Sequence, residues 1–88
     1  MLVKYRTSFN NDLKKLKSSK MLDRVAEIIE FLKNVSSIDS LSNIQKLKGE
    51  GNYYRIRIGS WRIGISLSGN DIELIRILPR KDIYKYFP

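Results

Sequence analysis

The residues able to do chemistry in this chain are few and of restricted kinds. It has no histidine and no cysteine, which excludes imidazole acid–base catalysis and thiolate nucleophiles. Arginine stands out instead. Five of the seven arginines (Arg55, Arg57, Arg62, Arg76 and Arg80) fall between positions 55 and 80. A guanidinium is a planar fork that grips phosphate bidentately, whereas lysine acts as a point charge. Asp71, Glu73 and Asp82 are too few and too scattered for a metal cluster, so no metal and no cofactor is expected. What remains is electrostatic binding of a phosphate-bearing ligand, with tyrosine and lysine left for proton transfer.

Charge supports an anionic ligand. Seventeen Lys and Arg against nine Asp and Glu give a net +8. In a chain of 88 residues that favours nucleic acid, followed by an acidic protein. Net charge does not single out one half, since residues 1–50 and 51–88 each carry +4; residue type does, because most lysines lie before the arginine cluster. The length suits one domain spanning 1–88. At 42% hydrophobic and 30% charged residues, the composition is that of a globular chain. No apolar run is long enough to span a membrane, and the N-terminus, MLVKYRTSFNNDL, lacks a signal-peptide core. A cytoplasmic protein with no membrane partner is expected.

These arginines must be positioned by the elements that carry them. Residues 2–6 form a short strand, with Val3 and Tyr5 on one face. Thr7 or Ser8 caps a helix carrying the stripe Phe9, Leu13, Leu16. Ser18 and Ser19 break it, and a longer helix runs from about Met21 to Lys33. Leu22, Val25, Ile28, Ile29 and Leu32 form its core face. Lys14, Lys15 and Lys17 are a solvated helix face. Residues 34–43 are a polar loop and 44–51 (IQKLKGEG) an irregular basic segment. Strict alternation follows: Tyr54, Ile56 and Ile58 on one face, Tyr53, Arg55 and Arg57 on the other. After Gly59-Ser60, Trp61, Ile63, Ile65 and Leu67 repeat the pattern against Arg62, Gly64 and Ser66. Gly69-Asn70 turns the chain into DIELIRIL, apolar on both faces and so buried. The tail RKDIYKYFP is one helical turn or an irregular wrap, with Tyr84 and Tyr86 available to pin it.

A two-residue turn at Gly59-Ser60 sets the pairing. Ile58 faces Trp61, Arg57 faces Arg62, and Ile56 faces Ile63. Like charges directly opposite destabilise a sheet by a few tenths to about 1 kcal/mol. An anion between Arg57 and Arg62 converts that cost into binding. Arg76, by the same parity, falls on the helix-covered face and takes a structural role at an edge or in a salt bridge. Trp61 belongs to the core, while Tyr53 on the basic face can stack on a base.

The run "KLKG … YYRIRIGSWRIGI … IRILPRKDIY" resembles the C-terminal half of the RelE/ParE toxin superfamily, and most of the chain follows the superfamily order. The resemblance implies an α+β fold with an N-terminal strand, a two-helix hairpin packed on one face of a mostly antiparallel four-stranded sheet, and a short C-terminal tail. It implies a toxin of a type II toxin–antitoxin system that cleaves messenger RNA on the ribosome. The partners implied are messenger RNA, the ribosome and an acidic antitoxin. Arg62, Arg80 and Tyr84 match the family's catalytic positions. Arg55, Arg57, Lys46 and Lys48 match its basic, RNA-binding ones, and Lys81, next to Arg80, joins them. Where many relatives have histidine before the terminal arginine, this chain has Pro79. A gyrase-inhibiting toxin of the same superfamily and an inert RNA-binding module are the rival expectations.

For a nuclease so built, the RNA's own 2′-hydroxyl attacks the adjacent phosphate and leaves a 2′,3′-cyclic phosphate. Arg62, with Arg80, stabilises the charge that develops on the phosphoryl oxygens. Tyr84 is the candidate base, with a lysine of the 46–48 segment as fallback, because arginine stays protonated.

Overall fold

The computed structural model describes residues 1–49 and 51–88. Strand β1 (Leu2–Tyr5) leads into helices α1 (Thr7–Lys15) and α2 (Ser19–Asn34), then a single 3-10 turn (Ile38–Ser40). Strands β2 (Ile44–Lys46), β3 (Tyr53–Ile58), β4 (Trp61–Ser68) and β5 (Asp71–Pro79) follow, and helix α3 (Arg80–Tyr86) ends the chain. The five strands form one sheet in the order β1-β5-β4-β3-β2, antiparallel except for β1 beside β5.

The alternating apolar residues of β3, β4 and β5 meet the apolar stripes of α1 and α2. Phe9, Leu16, Val25 and Leu32 close over Ile56, Ile58, Ile63, Ile65, Ile72, Leu74 and Ile77, all buried, with Trp61 packed against them. Each such side chain contributes about 1.5–3 kcal/mol on leaving water. Ser18 caps α2 by accepting from the Met21 backbone N–H.

The sheet has five strands, not four. The segment expected to be irregular contains β2, in which Ile44 pairs with Ile56, Gln45 with Arg55 and Lys46 with Tyr54. Residue 50 of that segment lies outside the described residues. The expected tail is helix α3. It lies on the sheet face opposite α1 and α2, where Ile83 and Phe87 bury themselves with Ile75 against Tyr53, Leu47 and Leu78. This explains why β5 is apolar on both faces.

Helix α1 also departs from expectation. Neither Thr7 nor Ser8 caps it; the capping position is Arg6, with no side-chain bond. Strand β1 stops pairing at Leu74, and α1 takes over the exposed edge of β5. The Ser8 hydroxyl donates to the Ile75 carbonyl, and one turn later Asp12 accepts from the Ile77 N–H at 3.1 Å. Asp12, only 5% exposed, also accepts two bonds from Arg76, at 2.7 and 3.0 Å. The hydrogen bond to Asp12 raises the Arg76 pKa above the ordinary arginine value, against the opposing cost of burial. Arg76 is therefore structural, but its face was misplaced. The register shifts here, with Ile65 opposite Leu74 and Gly64 opposite Arg76, so Ile75 is an extra residue. The bulge reverses parity and turns Arg76 to the side of Gly64.

Replacing Asp12 with alanine leaves a buried N–H unpaired and Arg76 without its partner. A loss of about 3 kcal/mol is expected. Urea unfolding checks it: the midpoint should fall at unchanged slope, and an unmoved midpoint would show that the edge needs no such clasp.

Candidate nucleic-acid interface

Three local devices bring the arginines together. The first is the hairpin. Gly59 takes a positive φ of 57° while Ser60 does not, so glycine occupies the first turn position. The expected register results: Ile58 opposite Trp61, Arg57 opposite Arg62, Ile56 opposite Ile63, and Arg55 opposite Gly64. The second device is Asn43, which clasps β3. Its side-chain amide donates to the Arg57 carbonyl, and the Arg57 N–H returns a bond to the Asn43 carbonyl at 2.9 Å. The third is the end of β5. Pro79 lies opposite Trp61, and the Arg80 N–H donates to the Ser60 carbonyl at 2.9 Å. Helix α3 thus starts beside the hairpin turn, and Tyr84 follows Arg80 by one turn on the same helix face.

The result is a groove of about 250 Å³. Arg55, Arg57, Arg62, Arg80 and Tyr84 line it together with residues 42–45. A second basin of about 400 Å³ adjoins it and shares Gln45, Arg55 and Tyr84; Lys46 and Lys48 line that one. Lys81 lines neither basin, because it points about 100° away from Arg80 around the helix. Tyr53, expected to stack on a base, is half-buried beside the C-terminal helix. Its ring meets Phe87 edge-on, with centroids 5.7 Å apart.

Arg62 is held by its own turn. One terminal nitrogen donates to the carbonyls of Gly59 and Trp61, both at 2.8 Å, and its remaining N–H groups stay available to an anion. Partial burial lowers its pKa first, with the positive charges of Arg80, Arg57 and Arg55 adding and Tyr84 opposing. Such crowding of cations favours occupation by phosphate. Tyr84 is flanked by two arginines. The Arg80 Nε donates to its hydroxyl at 3.3 Å, and the Arg55 guanidinium sits 4.5 Å from its ring centroid. The Arg80 hydrogen bond lowers the Tyr84 pKa below the ordinary tyrosine value of 10.0. The charges of Arg80, Arg55 and Arg62 add to this, against the cost of burial.

A family model described as the ParE toxin of type II toxin–antitoxin systems (parDE) matches residues 3–84. The chain is also 44% identical over 89 residues to the toxin RelE3 of Methanocaldococcus jannaschii, with 100% of both chains covered. The chain belongs to the RelE/ParE toxin family. Among solved structures it resembles the RelB–RelE antitoxin–toxin complex from Methanococcus jannaschii, with a TM-score of 0.83 and 41% identity over 97% of this chain and 99% of that one. It shares its fold with the RelE–RelB complex from Pyrococcus horikoshii OT3, at a TM-score of 0.72 and 24% identity over 90% of this chain and 93% of that one.

The structure brings out features that sequence reasoning missed. Gly64 lies under the Phe87 ring, whose atoms would stand 2.6 Å from any added Cβ. Asn43 and Gln45 form the far wall of the groove. Their signal was the alternation of uncharged polar residues around Ile44. Among the described residues, no three His, Cys, Asp or Glu side chains gather. Asp71 and Glu73 instead pair with Lys4 and Arg6 across β1 and β5. Among the described residues, no helix is long and apolar enough to cross a membrane.

Proposed function

We propose that this RelE/ParE toxin is a messenger RNA endonuclease that acts on the ribosome, without a metal, and is neutralised by an acidic antitoxin. The observation that carries the reading is the convergence of Arg55, Arg57, Arg62, Arg80 and Tyr84 on one groove of the sheet. Solved relatives occur as toxin–antitoxin complexes, which supports the antitoxin partner. The net charge of +8 suits an acidic one.

The groove is suited to an RNA backbone. Arg57, Lys46 and Lys48 bind flanking phosphates, and Arg62 with Arg80 faces the scissile one. The Tyr84 phenolate takes the 2′-hydroxyl proton. The 2′-oxygen then bonds to phosphorus, the bond to the 5′-oxygen breaks, and that oxygen takes a proton from water. One fragment ends in a 2′,3′-cyclic phosphate and the other in a 5′-hydroxyl. With only a tyrosine for proton transfer, the rate depends on substrate positioning, which a ribosome holding its messenger supplies.

Mapping new RNA ends after induction tests the proposal. Cuts inside translated codons support it; intact transcripts with accumulated DNA breaks would replace it by the gyrase-inhibitor reading. The pH profile is a second expectation. A base works only when deprotonated, so cleavage should rise tenfold per pH unit and level off at the lowered pKa of Tyr84, below the ordinary tyrosine range. Tyr84→Phe should remove the slope. A slope that survives this change would give the proton to another group.

A further inference from the structure

Arg55 differs from the other arginines of the groove. Its guanidinium carbon lies 4.5 Å from the Tyr84 ring centroid, against 6.0 Å for Arg80. Its Nε is sealed from solvent and, alone among buried side-chain nitrogens and oxygens of the described residues, has no hydrogen-bond partner. A phosphate ligand gripped side-on needs Nε and a terminal nitrogen together. Arg55 cannot offer that grip while Nε is enclosed, which leaves only its terminal nitrogens toward the groove, and the ring occupies one face of its fork.

The surroundings explain how it is held. Arg55 pairs with Gly64 on one side and Gln45 on the other. Gly64 has no side chain, so the Phe87 ring fills the space above it and brings the last turns of α3 down onto the sheet. The Tyr84 ring therefore lands on the guanidinium of a residue whose strand is bonded on both sides. A guanidinium on an aromatic face attracts the ring electrostatically, the more so where water is excluded.

We propose that Arg55 is a positioning residue for Tyr84, fixing its ring and favouring its phenolate form, rather than a side-on ligand of the RNA backbone. The proposal rests on the nuclease reading, since it gives Tyr84 a reaction to serve. Two roles are divided within one groove. Arg57 and Arg62 spend their charge on the substrate, whereas Arg55 spends its charge on the tyrosine. The charge of Arg55 contributes to the lowered pKa of Tyr84, in keeping with the geometry.

The test is a tyrosinate titration, read as the difference in absorbance near 295 nm between each protein and its Tyr84→Phe counterpart. In Arg55→Met the Tyr84 transition should move to higher pH, and Arg55→Lys should restore part of the shift. On ribosomes carrying messenger RNA, Arg55→Met should lose roughly tenfold in kcat, a fraction of the 10²–10⁴ that a positioned base supplies. KM should be unchanged, and the pH profile should move with the titration. Arg57→Met should raise KM and leave the titration of Tyr84 nearly in place. An unmoved titration in Arg55→Met overturns the proposal, and so does a loss confined to KM. If the parent toxin cuts no RNA, the nuclease reading fails separately, because the titration needs no activity.

Discussion

Replacing Arg62 with alanine should abolish growth arrest while leaving the protein folded. Arg62 lies between Arg57 across the hairpin and Arg80 at the start of α3, where a bound phosphate would be flanked by cations on several sides. Removing one preorganised donor to a developing oxyanion costs about 10²–10³ in rate. Stability should change little, because two effects oppose one another. The variant loses two hydrogen bonds to turn carbonyls, each contributing about 0.5–1.5 kcal/mol. It also relieves the repulsion from Arg57 across the pair, which costs up to about 1 kcal/mol. Arg62→Lys should fall between wild type and alanine, because it keeps a charge and loses the fork. Cleavage rates on ribosomes, growth after induction and thermal unfolding together check this. A folded Arg62→Ala variant of undiminished toxicity would remove Arg62 from the reaction.

The Arg57–Arg62 pair was legible in the sequence because a short turn and strict alternation determine it locally. Gly59 supplies the positive φ, and the isoleucines on both strands allow a single register. The same reasoning failed at Arg76, where alternation was extrapolated through a bulge that only the pairing of β4 with β5 reveals. A single extra residue, Ile75, is apolar like Leu74 before it and leaves no mark on composition. Strand β2 was missed for a different reason. Three residues are too few for a period, and what makes them a strand is their distant partner β3. Helix α3 had a readable signal. Ile83 and Phe87 are four apart, as are Arg80 and Tyr84, which places an apolar and a functional pair on adjacent sectors of one short helix and its C-cap. Seven residues have little helical stability alone, so packing on the sheet decides the matter, and that contact is non-local. Lys81 marks the limit of counting basic residues: it is adjacent to Arg80 in sequence and absent from the groove that Arg80 lines.

That packing makes Gly64 the position where a small change should have a large functional effect. A Cβ at residue 64 would stand 2.6 Å from two ring atoms of Phe87 and 2.7 Å from a third, closer than carbon atoms approach. The glycine is therefore required by the ring above it. In Gly64→Ala either the ring or the strand must move. The strand is central and bonded on both sides, whereas α3 is the last element of the chain and is held on the sheet by Ile83 and Phe87. The helix should yield. Overpacking of this kind costs about 1–3 kcal/mol, which the main core on the opposite face withstands. The groove does not withstand it, because displacing Phe87 breaks its edge-on contact with Tyr53 and carries Tyr84 away from Arg55. Gly64→Ala should thus remain folded, lose cleavage to the extent that Tyr84→Phe does, and expose α3 to limited proteolysis. Shortening the ring provides the control. Phe87→Leu in the Gly64→Ala background should recover activity, giving a favourable coupling between the two changes in a double-mutant cycle. If the two losses simply add, or if Gly64→Ala keeps full activity, α3 is not seated through this contact and the positioning of Tyr84 must come from elsewhere on the sheet.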